Sequence, residues 1–161
     1  MGIPCQAMSD AVPEPPPLLG ALMRVPLDHA YERVIAGLHA EGFADVVPAH
    51  LAVMRYPGPS GRRPVQLAAD ANLSRQAMNY LLGQLESLGY IERRPDEEDG
   101  RGQRVYATER GEELITVART AMRALEDEWA GALGRRDLET LRDILTRLNR
   151  HVAAARSGAA I

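Results

Sequence analysis

The sequence predicts a mainly α-helical fold with one small β-hairpin, an α+β arrangement in which helices dominate. Three observations carry this reading. Apolar residues recur at steps of three and four along several stretches, which is the period of one helix face. Two short runs, YIERR at 90–94 and RVYAT at 104–108, flank a polar loop that contains glycine, the pattern of an antiparallel hairpin. Breaker clusters such as PGPSGRRP, residues 57–64, separate these segments.

The first helix is expected over residues 18–41, LLGALMRVPLDHAYERVIAGLHAE, where Leu27, Ala30, Tyr31, Val34, Ile35 and Leu38 share one spacing. Pro26 marks a first turn or a kink, because it has no N–H to donate. Gly42 ends the element, and Pro48 opens a short helix, PAHLAVMRY. A helix of small residues follows over 65–71. Asn72 falls where the chain must turn sharply, and asparagine tolerates positive φ better than other non-glycine residues. Ser74 is a good N-cap for the next helix. There Met78, Leu81, Leu82, Leu85 and Leu88 share a face, Arg75, Gln76, Asn79, Tyr80 and Gly83 lie on or beside the other, and Gly89 stops it. This reads as a helix–turn–helix, although the apolar stripe alone would fit any amphipathic helix. A hairpin directly after it makes a winged helix.

Thr108 can cap a long helix that carries Leu114, Ala118, Ala121, Leu125 and Trp129, with Glu109, Glu112 and Glu113 near its positive end. Leu133-Gly134-Arg135 breaks it. The last helix has a clean stripe of Leu138, Leu141, Leu145, Leu148 and Val152, and the tail AAARSGAAI is expected to fade out. The first and last helices are not needed to fill a winged-helix core, yet both have apolar faces that must be covered. A partner subunit is one cover and the same chain is the other. The expected organisation is a loose, proline-rich tail at 1–17, an N-terminal dimerisation helix at 18–46 and a winged helix–turn–helix at 47–110. C-terminal dimerisation helices at 111–155 and a tail at 156–161 complete it.

The chain has 161 residues, 45% of them hydrophobic, and a formal net charge of −3. A length of this order is one domain, or a small domain with helical extensions. With so little net charge, any anion-binding surface must be local. All 19 basic residues are arginine, so every cation can make forked, bidentate contacts. Cys5 is the one cysteine, which rules out an internal disulfide or a CxxC knuckle. His29, His39, His50 and His151 have no metal-site spacing, so no metal or cofactor is expected. No nucleophile elbow, phosphate loop or HExxH motif is present, and a solvated helix face accounts for Asp28 and Glu32. An enzyme is therefore not expected. The opening MGIPCQAMSDAVPEPPP has no signal-like apolar core, and no stretch reaches the length of about 18 apolar residues that a membrane helix needs. The expected location is the cytoplasm.

Within this frame the chain resembles the MarR family of winged-helix transcription regulators, named for multiple antibiotic resistance. The family's wing signature is Asp-x-Arg, five residues, then Leu-Thr-x-x-Gly. Here Asp99, Gly100 and Arg101 are followed, after five residues, by Ala107, Thr108, Glu109, Arg110 and Gly111. Only Ala107 departs from the pattern, and the smaller side chain is expected to thin the packing beneath the second strand. The run LAADANLSRQAMNYLLGQLESLGYIERRPDEEDGR also resembles the family's recognition helix and wing in series. The resemblance implies a homodimer with its terminal helices interleaved. It also implies a recognition helix in the major groove of double-stranded DNA, a wing in the minor groove, and repression at an inverted-repeat operator. A small aromatic or phenolic effector is implied as the releasing signal.

On that basis Arg75, Gln76 and Asn79 are expected to read base edges, with Ser74 and Tyr80 on phosphates. Arg101 is the expected wing-tip residue for a narrow minor groove, held in aim by Asp99. Arg93, Arg94 and Arg104 are candidate phosphate partners, with Arg62 and Arg63 weaker ones. Asp96, Glu97 and Glu98 are expected to face solvent or their own arginines. Tyr31, His39, Met54, Arg55, Tyr56 and Trp129 lie on elements that border the effector pocket in relatives. Two other readings stay open: regulation through Cys5, which has no basic neighbour to activate it, and a winged helix that acts through protein contacts alone.

Overall fold

The computed structural model describes residues 16–55, 58, 60–96 and 102–158, with side chains to residue 155. Six helices and a hairpin follow in the order α1 (Leu19–Ala40), α2 (Pro48–Met54), α3 (Pro64–Ala71), α4 (Arg75–Ser87), β1 (Ile91–Pro95), β2 (Gln103–Ala107), α5 (Glu109–Leu133) and α6 (Arg135–Gly158). Cys5 lies outside the described residues, as do Tyr56, Asp99 and Arg101.

The helix–turn–helix forms because each end of its two helices is satisfied locally. Pro64 occupies the first turn of α3, where an N–H would be orphaned anyway, and the Arg63 N–H donates to Gln66 Oε1 at 3.1 Å. Asn72 takes the left-handed conformation with φ 56° and ends α3. The Ala77 N–H then donates to Ser74 Oγ at 3.1 Å, capping α4. Leu67, Met78, Leu82 and Leu85 close a core with Tyr90, Ile91, Val105 and Leu114.

The strands pair antiparallel, with Ile91 opposite Ala107 and Pro95 opposite Gln103. Arg62, expected in a loop, adds a third strand of one residue. Its N–H donates to the Val105 carbonyl at 3.1 Å and its carbonyl accepts from the Val105 N–H at 2.8 Å. The turn into this bridge needs Gly61, at φ 67°, because the Tyr106 ring lies where a Cβ would stand.

The step from hairpin to α5 is the tightest joint. Thr108 accepts from the Gly111 N–H at 3.1 Å and donates to the Gly89 carbonyl at 2.6 Å. Its own N–H donates to the Tyr90 carbonyl at 3.1 Å. Gly111 sits so near that carbonyl that a methyl group would collide with it. The Tyr90 phenol donates to Asp45 at 2.5 Å and accepts from Arg110 at 3.1 Å. Burial first, and Asp45 second, push that phenol above its ordinary pKa.

α5 packs along α1, where Gly37 lets Ala121 approach closely. Arg33 forks onto Glu128 at 2.9 and 2.5 Å across the same pair. Of the two readings of Pro26 the first turn is excluded, and one other expectation needs correcting. Pro26 lies inside α1, past its first turn, where it deprives the helix of one hydrogen bond. The segment expected to fade from Ala153 instead continues as helix to Gly158, since alanine and arginine are strong helix formers. On α6 Leu141, Ile144, Leu148 and Val152 remain exposed, as do Leu19, Leu22, Val25 and Leu27 on α1.

Gly111→Ala is expected to destabilise the protein by roughly 1–3 kcal/mol, the range for forcing a methyl group into packed structure. Thr108→Ala should lose about 1 kcal/mol through the missing cap. Both should lower the urea midpoint without changing the slope.

Candidate nucleic-acid interface and ligand cavity

Burying Met78, Leu81, Leu82 and Leu85 turns the other face of α4 outward. Ser74, Arg75, Gln76, Asn79 and Tyr80 are all exposed on it, so the structure brings the five expected recognition residues onto one surface. Arg75 and Asn79 open onto a groove whose far wall is Arg63, Pro64 and Val65 at the start of α3 and Gly102 and Gln103 at the root of the wing. The groove thus joins helix and wing. Its donors are of the kinds that suit phosphates and base edges.

Tyr80 is held from behind by a chain of polar contacts that periodicity could not show. Gln84 Nε2 donates to the Tyr80 hydroxyl at 3.2 Å, and Gln84 Oε1 faces His50 Nε2 at 3.4 Å. His50 Nδ1 accepts from the Val47 N–H at 3.3 Å. That bond leaves the ring proton on Nε2, so His50 donates to Gln84. Lying on α2 and buried, His50 links that helix to the exposed face of α4.

Most arginines near the wing are engaged within the protein. Arg93 lies 3.2 Å from Glu86 at the end of α4. Arg94 pairs with Glu92 and stacks over the Tyr106 ring at 4.7 Å, and Arg62 pairs with Asp70. Arg104 donates through Nε to Asp96 Oδ1 at 3.0 Å, and Arg63 through Nε to Asp96 Oδ2 at 2.6 Å. Asp96 was expected to face solvent or its own arginines. It does meet arginines, but it is 1% exposed, a buried carboxylate and not a surface one. The reason is charge: two guanidinium groups compensate for its lost hydration. Asp99 and Arg101, which carry the most specific sequence signal, lie beyond the described residues.

A second feature is an apolar cavity of about 240 Å³ between α1, α2 and α5. Tyr31, Met54 and Arg55 line it, and Arg55 donates to the Tyr31 hydroxyl at 3.0 Å. Val34, Leu51, Leu114, Ile115, Ala118, Arg119 and Met122 complete the wall. His39 does not line it, and its ring bonds the Val46 carbonyl at 2.9 Å instead. Trp129 faces α6 beside Leu138 and Leu141. Sequence reasoning missed the α5 wall because a helical stripe looks the same whether it closes a core or a cavity.

Among the described residues no three His, Cys, Asp or Glu side chains converge as a metal site, and no helix is long and apolar enough to cross a membrane. Residues 51–102 match the MarR family model. The match covers the second helix to the wing root, and the resemblance to the family is carried by that segment and by the fold. The chain has the fold of MarR family transcription regulators. It is similar to the crystal structure of a MarR family transcription regulator at 26% identity, with a TM-score of 0.66, 86% of this chain and 91% of that one covered. It is also similar to MarR, at 23% identity and a TM-score of 0.75, over 90% of this chain and 97% of that one. A third similar structure is the transcriptional repressor CouR bound to a 23-mer DNA duplex, at 20% identity and a TM-score of 0.64, covering 82% and 92%.

Proposed function

We propose that this protein is a MarR-type regulator, a homodimeric repressor that binds double-stranded DNA at an inverted repeat and is released by a small aromatic or phenolic ligand. The observation that carries DNA binding is the outward face of α4, where Ser74, Arg75, Gln76, Asn79 and Tyr80 adjoin a groove shared with the wing root. Arg75, Gln76 and Asn79 read bases in the major groove, Ser74 and Tyr80 contact phosphate, and Arg101 enters the minor groove, aimed by Asp99. Arg93, Arg94 and Arg104 lie along the wing's phosphate path. The similarity to a repressor held on a DNA duplex supports the reading.

The exposed stripes on α1 and α6 support a dimer, since monomers rarely leave such rows uncovered. The ligand reading rests on the cavity, whose walls are apolar while Arg55 and the Tyr31 hydroxyl supply polar ends. A phenol or its carboxylate analogue suits that combination. α2 carries Leu51 and Met54 on the cavity side, with Arg55 just past its end, and His50 on the α4 side, which gives a ligand a route to Tyr80.

The deciding measurement is fluorescence anisotropy on the promoter region beside the protein's own gene. Specific binding is expected, falling with salt at about 0.9 log units of K per log unit of salt for each phosphate neutralised. No preference over random duplex at physiological salt ends the proposal. In that assay Arg75→Ala should lose about 1–3 kcal/mol of discrimination, the range for one bidentate base contact.

Leu141→Glu with Leu148→Glu should move the protein from dimer to monomer in sedimentation, with the helical circular dichroism of the winged helix retained. Where a phenolic compound releases the DNA, Arg55→Ala should weaken that compound by about tenfold, as loss of a hydrogen bond to a charged group does.

A further inference from the structure

We infer that Asp96 is a positioning residue for DNA binding: its buried carboxylate clasps the wing to the helix–turn–helix so that both meet the duplex at one fixed spacing. Three contacts define the clasp. Oδ2 takes the Arg63 Nε–H at 2.6 Å, Oδ1 takes the Arg104 Nε–H at 3.0 Å, and the Asp96 N–H donates to the Gly102 carbonyl at 2.9 Å. Arg63 is the N-cap position of α3, so it belongs to the helix–turn–helix. Arg104 belongs to β2, and Gly102 closes the far end of the wing loop. One residue therefore ties the wing's two stems to each other and to the domain that carries the recognition helix.

The arrangement has the marks of alignment more than of bulk stability. A carboxylate with both oxygens on guanidinium groups is directional, whereas an apolar contact tolerates sliding. Arg63 also forms a wall of the groove that Arg75 and Asn79 open onto, so the clasp sets the distance from wing root to recognition face. The backbone pair between Arg62 and Val105 lies beside it and repeats the same connection. A wing fixed in this way reaches its groove with less ordering left to do on binding, which is how preorganisation raises affinity. The expected sign is opposite to simple electrostatics: removing this negative charge near phosphates weakens specific binding.

The test compares Asp96→Asn with wild type in the full chain by two readouts. In hydrogen exchange, the amides of Asp96, Arg62 and Val105 should exchange about tenfold faster or more, while α5 amides keep their protection. Unchanged exchange at those three amides overturns the clasp, as does equal loss of protection throughout the chain, which marks a fold effect. The second readout rests on the DNA-binding reading above. Affinity for the promoter fragment should fall about tenfold, equivalent to about 1.4 kcal/mol, while affinity for random duplex stays level or rises. A parallel fall on both DNAs, or tighter specific binding, overturns positioning.

If wild type shows no promoter preference, the proposed function fails and hydrogen exchange alone judges the clasp. Should Asp96→Asn not fold, Arg63→Gln removes the link from outside the hairpin and must show the same exchange pattern. The double variant should fall little below Asp96→Asn alone, because both remove one interaction; full additivity overturns it.

Discussion

How closely Gly111 passes the Tyr90 carbonyl sets the geometry of everything that follows it in the chain. A helix can leave the second wing strand at this angle only if its first turn carries no side chain there. Thr108 then satisfies donors and acceptors on both sides of the joint, so the turn into α5 leaves few backbone groups unpaired. Because α5 also supplies one wall of the cavity and the bed for α6, the joint relates the wing to both. Thr-x-x-Gly is thus a structural signature. Its other half, Asp99 and Arg101, is the part assigned to DNA.

Charge distribution explains how a chain with a formal net charge of −3 can present a surface for an anion. From Arg62 to Arg110 there are eight arginines and eight acids, which looks self-cancelling. In space the cancellation is local. Asp96 takes Arg63 and Arg104, Asp70 takes Arg62, Glu86 takes Arg93, and Asp45 takes Arg110. These pairs join separate elements, Arg93 linking β1 to α4 and Arg110 linking α5 to the loop before α2. Several acids near the wing therefore act as internal partners, and the outward face of α4 is left to Arg75 and neutral polar groups.

The parts legible in the sequence are those where local chemistry decides the outcome. Asn72 at positive φ, the Ser74 and Thr108 caps, the Gly89 stop and the apolar faces of α4 and α5 could all be read from neighbours within a few residues. The outward face of α4 was legible for the same reason, since burying one side of a helix exposes the other. What could not be read depends on partners far along the chain. Arg62 looks like loop until Val105 is beside it, and Asp96 looks like surface until Arg63 and Arg104 meet it from opposite directions. His39 and Trp129 show the same limit: their elements were placed, but the side chains point elsewhere than the cavity.

The same reasoning indicates why both terminal helices are needed for the proposed dimer. On α6, Leu141, Ile144, Leu148 and Val152 are 39–46% exposed, so covering them completes a burial already half made. At roughly 1.5–3 kcal/mol per fully buried side chain, finishing four of them on each of two protomers yields roughly 6–12 kcal/mol. Association itself costs about 4–15 kcal/mol. The α6 stripe alone is therefore marginal. Leu19, Leu22, Val25 and Leu27 on α1 are 49–72% exposed, so they have more area left to bury. If the two stripes are covered together the balance becomes favourable, and α1, which also lines the cavity, then connects the dimer contact to the ligand site.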